Sequence, residues 1–251
     1  MSEQKTHFGF KEVPLSEKTK KVSDVFESVS NRYDIMNDVM SFGLHRLWKQ
    51  IALQYAEIRR GDLILDLAGG TGDITALLAQ KTGPTGQVML SDLTYPMIEV
   101  GRQKLINKGL LNIQYVQANA EVLPFKSNCF DKITMGFGLR NVAQKEKALS
   151  AMARVLKPGG KVIILEFSKP TQTLPFSGLF NKLYDLYSFH ILPKMGEIIA
   201  QDRESYQYLA ESIRMHPSQE ALLTLMNTAG FTKTGYQNLL GGVVAIHYGS
   251  K

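Results

Sequence analysis

Cysteine is nearly absent from this chain: Cys129 stands alone, so no internal disulfide can form, and a reducing cytoplasm is the expected setting. The stretch Met1 to Lys21 is polar and lacks the apolar core that a secretory signal requires. No run of about 18 apolar residues occurs. Even 174–200 is interrupted by Asn181, Lys182, Asp185, His190, Lys194 and Glu197, so no membrane-spanning segment is expected. The five histidines, at 7, 45, 190, 216 and 247, are scattered without metal-ligand spacing, so no metal is expected. The net charge of +6 is spread along the chain, and no basic stripe interleaved with aromatics is present, which argues against a nucleic-acid partner. Repeats, low-complexity tracts and Pro/Gly/Ser linkers are also missing, so 1–251 is expected to fold as one domain.

What remains is the composition of a packed globular protein, 44% hydrophobic and 21% charged over 251 residues. From Asp62 onward, short β-rich runs alternate with helical patterns. Strands are predicted at Leu63–Leu67, Val88–Leu90, Ile113–Val116, Lys132–Met135 and Val162–Leu165, and helices at 73–81, 96–108 and 145–156. The turn Lys157-Pro158-Gly159-Gly160 stops the last of these helices. Such alternation implies an α/β, doubly wound, parallel sheet. A helix over 218–229 and an antiparallel pair, Thr232–Leu239 and Val243–Tyr248, close the chain. The core is thus 61–170, with a mostly helical 17–57 acting as an N-terminal lid, a helical insert at 171–216 and closing elements over 217–251.

The first strand opens into Asp66-Leu67-Ala68-Gly69-Gly70-Thr71-Gly72-Asp73, a glycine-rich turn leading into a helix, which in a doubly wound sheet lies at the ligand crevice. Glycines let a ligand approach bare backbone, and the helix N-terminus offers free N–H groups. A dinucleotide fingerprint would need a small residue where Thr75 stands, and a nucleoside-triphosphate loop would need a Gly-Lys-Ser/Thr ending that is missing. Asp92, at the end of the second strand, is placed to accept from both hydroxyls of a ribose, or else caps the next helix. Gln117-Ala118-Asn119-Ala120-Glu121 follows the third strand, where a backbone N–H and an amide side chain can read an adenine edge.

This spacing of acid, glycine turn, ribose carboxylate and adenine loop resembles class I S-adenosylmethionine methyltransferases, although Ala68 replaces the first glycine of the commoner pattern. The segment from Tyr33 through Asn37-Asp38 and Phe42-Gly43 to Trp48 resembles a signature of the demethylmenaquinone and 2-methoxy-6-polyprenyl-1,4-benzoquinol methyltransferases. Arg154 to Ser168, Phe137-Gly138-Leu139-Arg140-Asn141 and Arg214 to Gln219 are similar to the same family, over roughly residues 15 to 250. The resemblance implies a Rossmann-like, mostly parallel seven-stranded sheet with an antiparallel C-terminal strand. It also implies S-adenosyl-L-methionine as cofactor, held through Gly70, Thr71, Asp92, Asn119 and Ala120, with Asp66 facing its methionine end. Gly136 stands where many bacterial members have serine, so any hydroxyl contact there is lost.

The implied reaction is C-methylation of the ring of a reduced polyprenylated quinol in ubiquinone or menaquinone synthesis. Such a displacement needs the ring carbon held near the methyl group with water excluded, and a base or cation near the phenol oxygen. Arg140 is the candidate to stabilise the phenolate, Asn141 to orient the ring oxygen, and Tyr33 to assist from the lid. Against these roles, Arg140 can simply pair with a helix carboxylate, Asn141 can cap a turn, and Tyr33 can be core packing beside Met36 and Met40. The apolar stripe Leu174, Phe176, Leu179, Phe180, Leu183, Tyr184, Tyr187 and Ile191 reads as core, or as a lid over a prenyl tail. In the second case Lys182 and Lys194 would meet lipid headgroups, as a peripheral membrane protein on the inner face of the cytoplasmic membrane. A quinone-biosynthesis complex is the other expected partner. The alternatives are a methyltransferase of another small phenol or lipid, and a non-catalytic module that holds a quinone intermediate.

Overall fold

The computed structural model describes residues 4–170, 178, 186–200 and 202–251. Its centre is the strand β3 (Leu63–Leu67), whose Ile64 and Leu65 point to opposite sides and are both fully buried. Burial on both faces is what a strand in the middle of a helix-covered parallel sheet requires. Around β3 lie β4 (Gln87–Asp92), β5 (Ile113–Gln117), β6 (Phe130–Gly136) and β7 (Leu156–Phe167). With β8 (Thr232–Leu239) and β9 (Val244–Ser250) they make a seven-stranded sheet of order β5-β4-β3-β6-β7-β9-β8. Strands β3 to β7 are parallel, and β9 runs antiparallel between β7 and β8. The sheet matches the fold implied by the sequence.

The connecting helices are α4 (Asp73–Thr82), α5 (Tyr95–Asn107) and α6 (Lys145–Val155). The chain steps outward from β3 to β5 and then returns to place β6 on the other side of β3. This reversal leaves a crevice above the carboxyl ends of β3 and β6, where ligands of doubly wound sheets bind.

Three elements cover that crevice from the N-terminal side: α1 (Leu15–Val29), α2 (Tyr33–Ser41) and α3 (Leu44–Tyr55). Helices are expected over 17–57, and these three occupy that segment. A hairpin of β1 (Lys5–Phe8) and β2 (Lys11–Pro14), for which the sequence offers no pattern, precedes them. Its strands of four residues are too short for alternation to show, and the stacking of Phe8 on Tyr208 supplies an apolar anchor far away in sequence.

The end of the insert forms a π-helical turn, Tyr187–Ile191, and the helices α7 (Leu192–Ala200) and α8 (Arg203–Met215), followed by α9 (Gln219–Thr228). Of the apolar stripe, Leu174 to Tyr184 lies outside the described residues. The turn at Lys157 to Gly160 needs correction: it does not separate α6 from the fifth strand but is an irregularity inside β7. Leu156 pairs with Phe130 and Lys161 with Lys132, so the residues between bulge out, with Gly159 at a positive φ of 76°.

Candidate functional site

The glycine turn is built by backbone conformations that side chains resist. Gly70 and Gly72 have φ of 53° and 82°, and Ala68 also adopts φ 51°, a left-handed position that costs a residue bearing a Cβ about 1–2 kcal/mol. Space for the Ala68 methyl exists because residue 138 is glycine: a Cβ there would collide with it. Helix α5 also presses on the turn, since a Cβ on Gly101 would lie 2.8 Å from the Gly70 carbonyl oxygen.

Asp92 fastens this turn. Its carboxylate accepts the Gly70 N–H at 2.9 Å with one oxygen and the Thr94 N–H at 3.0 Å with the other. Burial raises its pKa, and it lines the cleft; it does not cap the next helix, whose N-cap is Thr94. Asn119 folds back to accept the Glu121 N–H at 2.9 Å, which fixes its amide at the cleft wall beside Ala120.

The cleft, of about 760 Å³, is bordered by Gly70, Asp92, Asn119, Ala120, Tyr33 and Asn141. A second, smaller pocket shares Tyr33, Ala68, Gly70 and Gly136 with it and adds Lys49, Asp66, Thr71 and Asp73. One chamber therefore offers apolar walls and a buried carboxylate, and the other offers ammonium and carboxylate groups together. This arrangement fits a nucleoside joined to an amino acid.

Asp66 is fully buried and accepts from the Thr75 and Thr134 hydroxyls at 2.6 and 2.7 Å. Burial lifts its pKa to about 6 against these bonds. Thr71 does not present a free hydroxyl: it donates to Asp34 of α2 at 2.6 Å. Asp34 also accepts from Lys104, which holds Asp73, and Asp73 in turn holds Lys49. This chain of charges ties the lid to the glycine turn, and sequence reasoning missed it. Asp34 stood inside the quoted signature, but its partners lie 37 and 70 positions away.

The signature segment makes its own helix-turn-helix. Phe42 and Gly43 take positive φ between α2 and α3, Asp38 bonds His45 and Arg46, and the Ser41 hydroxyl accepts the His45 N–H. Trp48 on α3 then packs its ring against Phe137 and Phe167. Segments far apart in sequence thus meet above β6 and β7.

Tyr33 borders both chambers and a third of about 350 Å³ that contains Arg140 and Tyr208. Burial raises the Tyr33 pKa, and the Arg140 charge opposes that rise. Arg140 is buried and pairs with Glu166 on β7 at 2.7 Å, so its carboxylate comes from a strand and not from a helix. Its Nε is buried without a hydrogen-bond partner among the described residues. Asn141 does not cap a turn with its side chain; its Oδ1 accepts the Tyr208 hydroxyl at 3.0 Å. Gly136 has no room for serine as the walls stand, because a Cβ would overlap Ile74 Cδ1. The Arg214 to Gln219 segment is structural, with Gln219 donating to the carbonyls of Lys169 and Gly242 and to Asn238.

Residues 15–251 match the model of the ubiE/COQ5 methyltransferase family. A ubiquinone/menaquinone biosynthesis C-methyltransferase UbiE from Erwinia tasmaniensis is 57% identical, over 100% of this chain and 98% of its own length. Its counterpart from Idiomarina loihiensis is 55% identical, again over 100% and 98%. Among solved structures, a SAM dependent methyltransferase from Aquifex aeolicus aligns with a TM-score of 0.57 at 18% identity, over 80% of this chain and 88% of that one. At that identity the likeness speaks for the fold alone.

Proposed function

Since the chain belongs to the ubiE/COQ5 methyltransferase family, we propose that it transfers a methyl group from S-adenosylmethionine to a ring carbon of a reduced polyprenylated quinol, a precursor of menaquinone or ubiquinone. The chain is an S-adenosylmethionine-dependent C-methyltransferase. The observation that carries the choice of acceptor is Arg140, which lines a chamber that also touches Tyr33 and whose buried Nε has no hydrogen-bond partner among the described residues. An orphaned buried donor is costly unless a ligand oxygen meets it.

The cofactor supplies an electrophilic methyl group. The protein's work is to hold the ring carbon against it and to exclude water. Asp92, Asn119, Ala120 and the glycine turn bind the nucleoside, and Asp66 faces the amino-acid end. Arg140 donates to the ring oxygen, while Glu166 balances its charge and leaves the guanidinium directional instead of merely attractive. Asn141, oriented by Tyr208, places the same oxygen, and Tyr33 closes the chamber from the lid.

A polyprenylated acceptor resides in a bilayer, and no helix among the described residues is long and apolar enough to cross one. Peripheral contact with the inner face of the cytoplasmic membrane is the reading that serves such a substrate. It is supported by the turn between α2 and α3, where Phe42 is 77% exposed, by the exposed Ile35 on α2 and Leu47 on α3, and by the exposed Lys194. A quinone-biosynthesis complex at that surface is the proposed protein partner. Deleting the gene tests the substrate: cells should accumulate quinones lacking the ring methyl, and unchanged quinones would refute it.

A further inference from the structure

We propose that Lys49, carried on the lid helix α3, binds the α-carboxylate of the cofactor's amino-acid end. The proposal rests on the cofactor reading above. The two chambers lie on either side of the same wall residues, Ala68, Gly70 and Gly136, so a ligand whose nucleoside lies beside Asp92 and Asn119 has Lys49, Asp66 and Asp73 as the neighbouring charged groups for its tail. The tail of that ligand is a zwitterion, and this chamber carries both signs of charge.

Lys49 is the cation available there. Its side chain is only 9% exposed, and its Nζ lies 2.8 Å from Asp73 Oδ2. An ammonium desolvated to that degree needs a carboxylate partner at all times. Asp73, by contrast, has a second ammonium partner, since Lys104 reaches its other oxygen at 2.6 Å. Lys104 holds Asp73 and Asp34 together, so turning Lys49 toward a ligand carboxylate leaves Asp73 paired.

The charge count agrees. Asp34 and Asp73 balance Lys49 and Lys104, which leaves Asp66 as the extra carboxylate of the chamber, within electrostatic reach of Lys49. A ligand bringing an ammonium and a carboxylate satisfies Asp66 with the first and Lys49 with the second. The lid thereby contributes a cofactor ligand of its own, and the same helix turns Trp48 onto Phe137 and Phe167. Closing the lid and seating the amino-acid end become one event.

Calorimetric titration with two ligands separates this role from a structural one. S-adenosylhomocysteine carries the amino-acid tail, whereas 5′-methylthioadenosine has the same nucleoside without it. Lys49→Gln keeps a donor for Asp73 but removes the charge, and is expected to weaken S-adenosylhomocysteine about tenfold to a hundredfold, the value of a charge-assisted bond, while leaving 5′-methylthioadenosine within about twofold. Lys49→Arg is expected to recover most of the loss. Equal weakening of both ligands, or of neither, overturns the proposal. Thermal melting of each variant identifies a folding defect; if Lys49→Gln fails to fold, the Lys49→Arg comparison decides, since a carboxylate ligand tolerates the guanidinium and a steric strut does not. Failure of the unaltered protein to bind either compound would instead sink the cofactor reading.

Discussion

Glu166 holds Arg140 twice: one carboxylate oxygen accepts the guanidinium Nη1 at 2.7 Å, and the other accepts the backbone N–H of Arg140 at 3.1 Å. The end of β7 thus fixes both the position and the direction of the residue that follows β6. Glu166→Gln keeps the shape and leaves a buried guanidinium without its counter-charge. The expected cost is about 3–5 kcal/mol, the range for breaking a buried pair from one side. Denaturant unfolding measures it, and a cost below about 1 kcal/mol would mean that the pair does not organise the site.

Asp66 sets a pH dependence. Its pKa is about 6 in the folded chain against an ordinary 3.8, so the neutral form favours folding. That contribution is present below about pH 4 and is lost as pH rises through about 6. Cofactor affinity runs the other way, because the ligand ammonium needs the ionised carboxylate. Binding is expected to weaken by up to about tenfold per pH unit below 6 and to level off above it. Asp66→Asn should bind more weakly at pH 7 with a flat profile, and a variant that keeps the slope assigns the titration to another group.

The lid is tied to the glycine turn by Asp34, which takes the Thr71 hydroxyl and the Lys104 ammonium. Asp34→Asn is expected to loosen the lid without unfolding the sheet. Proteolytic cleavage within 15–55 should accelerate several-fold, and cofactor should protect it less. Unchanged cleavage would show that α2 is held by other contacts.

Two glycines test the packing around the cofactor. In Gly101→Ala the new methyl meets the Gly70 carbonyl and the Thr71 backbone, which are not free to move aside, so cofactor affinity should fall at least about tenfold. Gly136→Ser meets only the tip of Ile74, the end of a flexible side chain, and its cost should be under about 1.5 kcal/mol. Titration of both variants checks this order, and the reverse order would contradict the wall described here.

Much of the sheet could be read from the chain, because β3, β4 and β6 are short, largely buried runs bounded by turn residues, and β5, at the sheet edge, is a short β-branched and aromatic run between turns. Leu63–Leu67 and Thr232–Leu239 coincide with the elements found. β7 was read short because Pro158 and Gly159 look like a stop, whereas β9 pairs alongside and carries the strand past them: Lys251 accepts the Gly159 N–H and donates to the Gly160 carbonyl. Asp92 and Asn119 were legible because strand ends place them at the crevice whatever surrounds them. Glu166, Tyr208 and Lys49 were not, since their importance lies in partners that only the tertiary fold supplies: Glu166 meets Arg140 across 26 positions and Tyr208 meets Asn141 across 67. Thr71 shows the opposite limit: it lies on the second pocket beside the glycine turn, but its hydroxyl is taken up by Asp34 of α2.

The central claim is that a ring carbon of a prenylated quinol receives the methyl group. The most direct test incubates the purified protein with methyl-labelled S-adenosylmethionine and a short-chain demethylmenaquinol or 2-methoxy-6-polyprenyl-1,4-benzoquinol kept reduced, and locates the label in the product. The account predicts label on a ring carbon, dependent on reduction of the quinone and abolished in Asp92→Ala. Label on a phenolic oxygen, or no transfer to either quinol by a protein that binds the cofactor, would contradict it.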